Sequence, residues 1–86
     1  MRVHIPSPLL AYTAGRREVE GKGATVGELL ADLDARHRGL RFRIIDEQDR
    51  IRPHIRLFVG ARPALDLGEP VTPGDEVHIL CALSGG

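Results

Sequence analysis

Glu76-Val77-His78-Ile79-Leu80-Cys81-Ala82-Leu83-Ser84-Gly85-Gly86, the last eleven residues, decide the fold. A run this apolar with a period of two reads as a strand starting at Glu76 or Val77. Parity then sorts it: if Val77, Ile79 and Cys81 turn toward a core, His78 and Leu80 turn away. Behind the strand comes Ser84-Gly85-Gly86. Glycine costs the most backbone entropy to order and packs nothing. It suits a thin end that threads a narrow channel, and it equally suits a frayed end. At an average glycine usage of about 7%, two such residues close a chain by chance about once in 200 cases. The rest of the sequence has to decide between the two.

Working outward, Thr72-Pro73-Gly74-Asp75 is a turn that launches the last strand. Further back, Ile55, Leu57 and Val59 alternate with His54, Arg56 and Phe58, and Gly60 ends this second strand. Leu65 and Leu67 predict a short strand or a loop anchor between the two. The clearest element lies earlier. Thr25 and Glu28 have capping-box spacing, and Val26, Leu29, Leu30 and Leu33 follow as one apolar stripe. His37 extends the stripe, Arg36 and Arg38 suit a helix C-terminus, and Gly39 stops it, so the spacing predicts a helix over about 26–38. At the N-terminal end Val3 and Ile5 alternate with Arg2 and His4 as a strand that Pro6 and Pro8 limit. Tyr12 to Gly15 turn the chain, and Arg17–Glu20 return as a strand around Val19. Leu40–Arg52 gives a mixed signal, in which Ile44 and Ile45 need burial and Asp46–Asp49 read as an exposed turn. One helix on one face of a sheet predicts a single two-layer α+β domain over residues 1–86. The first and last strands pair centrally, and a flexible tail of about 83–86 projects from the sheet.

Composition narrows the function. Twelve basic and twelve acidic residues give a formal net charge of zero, which removes the electrostatic case for nucleic acid or an anionic membrane. No window approaches the roughly 20 apolar residues of a membrane span. A single cysteine excludes an internal disulfide and fits the cytoplasm. Lys22 is the only lysine. His4, His37, His54 and His78 are dispersed without metal-ligand spacing; pairing of the first and last strands would make His4 and His78 neighbours, but two histidines are too few for a site, so no metal is expected. Cys81 reads as a small core hydrophobe rather than a thiol relay. Asp46, Glu47, Asp49, Glu18 and Glu20 read as solvated surface. No nucleophile–base pair and no phosphate-binding glycine loop stands out, so no catalytic residue is assigned.

Three spaced segments, Leu57-Phe58-Val59-Gly60, Pro70-Val71-Thr72-Pro73-Gly74-Asp75-Glu76-Val77 and Ser84-Gly85-Gly86, agree in one pattern. With this element order, the chain resembles the β-grasp, ubiquitin-like sulfur carriers of the ThiS/MoaD family over essentially its whole length. The stretch Ile45–Arg52 is similar to an insertion of the mycobacterial, cysteine-forming CysO-like type. Cys81 and Ala82 stand where many molybdopterin-pathway members carry prolines. Without them the tail is less stiff and better able to continue pairing.

The resemblance implies a mixed sheet with one helix on one face, and a protein co-substrate rather than an enzyme. It implies that an E1-like adenylating and sulfurtransferase enzyme activates Gly86 with ATP and converts it to a thiocarboxylate. A downstream synthase then takes the sulfur for cysteine, thiamine, molybdopterin or a specialised metabolite. The carrier itself binds no cofactor. Leu83, Ser84 and Gly85 form the threading tail, and Phe58 and Leu80 on the uncovered face dock the activating enzyme. The alternative is a ubiquitin-like modifier joined to target lysines, and the same tail serves both.

Overall fold

The computed structural model describes residues 1–82. Five strands build one mixed sheet: β1 (Arg2–His4), β2 (Glu18–Glu20), β3 (Ile55–Val59), β4 (Arg62–Ala64) and β5 (Glu76–Cys81), in the order β2-β1-β5-β3-β4. Strands β1 and β5 run parallel, with Arg2, Val3 and His4 opposite Glu76, Val77 and His78. The other three pairs are antiparallel. The last strand is therefore the centre of the sheet, paired with the first as expected.

Helix α1 (Val26–Arg36) covers one face. Its buried stripe of Val26, Leu29, Leu30 and Leu33 meets Val3, Leu57, Val77 and Ile79 from the sheet. Each such burial contributes about 1.5–3 kcal/mol. Thr25 Oγ1 accepts from the Glu28 amide at 3.2 Å. The Glu28 carboxylate returns one residue further back than a capping box requires, accepting from the Ala24 amide at 2.9 Å. The amides of Val26 and Gly27 lack partners within the helix. They donate to the carbonyls of Glu69 and Leu67, both at 2.9 Å, which ties the 65–71 loop to the helix start. Leu67 is thus the loop anchor, whereas Leu65 is 82% exposed. The short strand lies just before them at Arg62–Ala64.

Gly23 sits where the chain crosses α1. At φ +156° its α-carbon faces the helix backbone so closely that a Cβ would lie 2.7 Å from the Leu29 amide nitrogen. We expect Gly23→Ala to lose about 2 kcal/mol or more through this backbone clash. The check is a urea midpoint at unchanged slope. A variant as stable as the parent would show that the crossing relaxes freely.

Two segments depart from the sequence expectation. The helix stops at Arg36, and a second short helix, α2 (Leu40–Ile44), follows at once. One oxygen of Asp34 accepts from the amides of both Gly39 and Arg41, each at 3.1 Å, and this turns the chain between the helices. Burial of Leu40 and Ile44 then holds α2 in the core. The turn foreseen around Tyr12–Gly15 is the end of a longer 3-10 segment, Ser7–Thr13, with Pro8 in its first turn and Leu9 and Thr13 buried. The 46–49 turn is as expected, and Asp46 closes it by accepting from the Gln48 and Arg50 amides at 2.8 and 3.0 Å. Those amides hold its carboxyl below the usual carboxylate range.

Candidate functional site

The face of the sheet away from α1 is the candidate interaction surface, and strand parity assigns its residues. The inner residues of β3, Ile55, Leu57 and Val59, are buried, and so are Val77 and Ile79 of β5. Arg56, Phe58, His78 and Leu80 therefore share the uncovered face. Leu80 pairs with Arg56, and Phe58 pairs with His78. Phe58 and Leu80 are thus diagonal neighbours across β3 and β5. Leu80 is 49% exposed, while Phe58 is half-buried. An exposed leucine beside an aromatic ring on an otherwise polar face suits a partner contact.

The strand leads directly toward the tail. Pairing runs one residue past Cys81, because the Ala82 amide donates to the His54 carbonyl at 2.7 Å. A proline there has no amide and would end the ladder earlier. Leu83, Ser84, Gly85 and Gly86 lie outside the described residues. At the root of this end is an open cleft of about 470 Å³, lined by Tyr12, Phe42, Arg43, Arg52, His54 and Cys81 among others. Phe42 is 55% exposed there, with the Arg52 guanidinium 4.6 Å above its ring. Periodicity did not reveal it, since Phe42 lies in the segment with a mixed signal. Cys81 packs half-buried against the core. Burial pushes its thiol up, so it is a poor nucleophile near neutral pH and suits packing better than relay chemistry.

At the other end of β5 the register creates a cluster that spacing in the sequence conceals. His4 stands opposite His78. Their rings stack 4.4 Å apart at 6°. His4 Nε2 lies 2.6 Å from Glu76 Oε1, and His4 Nδ1 lies 3.7 Å from Glu18 Oε2. The His4 hydrogen bond is the main influence that holds the Glu76 carboxyl below the usual carboxylate range. The signal was latent in the pairing of the first and last strands, which puts residues 4 and 78 side by side.

The likeness to known proteins covers the whole chain. Residues 3–86 match the ThiS family. Sulfur carrier protein CysO from Mycobacterium tuberculosis is 32% identical, across 98% of this chain and 96% of that protein. Small archaeal modifier protein 3 from Haloferax volcanii is 30% identical, across 90% of this chain and 96% of that protein. Among solved structures, a chain of the Amycolatopsis orientalis BexX/CysO complex superposes with a TM-score of 0.91 at 35% identity. That match covers 99% of this chain and 98% of the other. The architecture is that of a β-grasp, ubiquitin-like fold, and the chain belongs to the ThiS family.

Proposed function

We propose that this protein is a sulfur carrier, a co-substrate whose end is loaded by one enzyme and unloaded by another. The observation that carries the reading is full-length similarity to a CysO sulfur carrier, in a chain whose match to the ThiS family runs through Gly85 and Gly86. A carboxylate is a poor electrophile because it is anionic and resonance-stabilised. An E1-like partner using ATP joins the Gly86 carboxylate to AMP and releases pyrophosphate. Hydrosulfide, HS⁻, then attacks the activated carbonyl, AMP leaves, the added sulfur loses its proton, and a thiocarboxylate results. Splitting one hard step into two in this way is the logic of covalent activation. The domain supplies recognition through Phe58 and Leu80, with Leu83, Ser84 and Gly85 as the thin approach to the acceptor. No metal or cofactor of its own enters these steps. The downstream acceptor is a biosynthetic synthase, of cysteine-forming type by the CysO likeness. The single thiol of this chain fits a carrier that works in a reducing compartment such as the cytoplasm.

The test is isotopic exchange of pyrophosphate into ATP by the cognate activating enzyme. We expect exchange that depends on the chain and vanishes when Gly85 and Gly86 are deleted. Exchange absent with the intact chain, or indifferent to the deletion, contradicts the reading. The similarity to small archaeal modifier protein 3 supports a second reading, conjugation to lysines. Under that reading, cells expressing the chain accumulate a Gly86 isopeptide remnant on lysines of other proteins. Under the carrier reading no such remnant accumulates.

A further inference from the structure

We propose that His4, Glu76 and His78 form a binding site for a divalent transition-metal ion such as Zn²⁺, on the uncovered face at the start of β5. The three side chains come from paired positions of the parallel β1–β5 ladder, and one ligand atom from each lies within 4.8 Å of the others. Two imidazoles and a carboxylate are a donor set that zinc accepts, with a fourth position left open. Around one zinc ion such atoms stand about 3.4 Å apart. His4 Nε2 and Glu76 Oε1, now 2.6 Å apart, open slightly to reach this, and His78 closes. Rotation about the side-chain torsions is enough, because the histidine ring torsion is broad.

The surroundings favour a cation. His4 is flanked by Glu76 at one ring nitrogen and Glu18 at the other. Arg2, whose Nε lies 3.6 Å from Glu18 Oε1, is the nearby fixed positive charge. With neutral imidazoles, these groups sum to one net negative charge. A metal ion replaces the proton that the His4–Glu76 hydrogen bond now holds. Glu18 Oε2, 3.7 Å from His4 Nδ1, then closes to accept from it, fixing the tautomer as carboxylates behind zinc-bound histidines do. Phe58, which pairs with His78, is the neighbour on the other side, so the bound ion alters the charge of the surface beside it.

The experiment uses the untagged chain alone, so its outcome is independent of the carrier reading. Zn²⁺ is titrated against a chromophoric chelator. We expect one equivalent to bind, with affinity falling more than about 10-fold in His4→Ala or His78→Ala and about 10-fold in Glu18→Gln. The double variant Cys81→Ser/His54→Ala, which removes the other imidazole–thiol neighbourhood, keeps the affinity. Circular dichroism checks the fold of each variant. In the parent chain, Zn²⁺ shifts the imidazole proton resonances of His4 and His78 and leaves those of His37 and His54 in place. Absence of stoichiometric binding, or shifts confined to His37 and His54, overturns the site.

Discussion

Gly85→Val is expected to reduce sulfur loading of Gly86 by about 100-fold or more while leaving the domain as stable as the parent. Under the proposed loading of Gly86, the acceptor carbonyl would have to reach an adenylating centre through a channel that admits a backbone without side chains. A branched Cβ holds it short or turns it, and a misplacement of about 1 Å costs on the order of 100-fold in rate. Stability should not follow, because the buried core of the described residues ends with Ile79. Gly85→Ala, with one methyl group, should give a smaller loss. Single-turnover loading and a thermal melt measure the two effects side by side. A Gly85→Val chain that loads at the parental rate contradicts the threading role, and one that unfolds shows the tail to be structural.

Leu80→Asp is expected to weaken engagement of the activating enzyme by about 30-fold, the effect of losing about 2 kcal/mol at a contact that dominates an interface. Leu80 is half exposed and lies diagonal to Phe58 on the uncovered face. Under the proposed docking, a charge placed there would be desolvated against the partner surface in the complex, yet is solvated in the free chain. The stability cost is therefore small, within about 0.5 kcal/mol for a surface change. The loss should appear as a raised KM for the carrier with kcat retained, because docking and not chemistry is impaired. Phe58→Ser should act in the same direction. A lowered kcat at unchanged KM for Leu80→Asp contradicts docking through this face.

Elements with local causes were legible in the sequence. The capping pair Thr25 and Glu28 and the stripe through Leu33 specify α1 within one stretch, and the alternation of Ile55–Val59 specifies β3 in the same way. The element order also put the first and last strands side by side at the centre, as β1 and β5 are. What could not be read depends on distant partners. Helix α2 is five residues long, too short to stand alone, and exists because Asp34 caps it and the core accepts Leu40 and Ile44. Strand β4 was misplaced toward Leu65 because its centre is Pro63, a residue without a ladder donor that only an edge strand accommodates. The functional surface divides along the same line. Parity put Phe58 and Leu80 on one face, while the His4–Glu76–His78 cluster joins residues more than seventy positions apart. Pairing of the first and last strands already made His4 and His78 neighbours, but Glu76 joined them only once the register of β1 on β5 was known.

The most direct test of sulfur carriage is the intact mass of the chain after incubation with its activating enzyme, ATP and a sulfur source. Exchange of one oxygen for one sulfur, mapped by fragmentation to Gly86 and reversed when a sulfur acceptor enzyme is added, is the result we expect. An unchanged mass after demonstrated ATP turnover, or sulfur found on Cys81 instead, would contradict it.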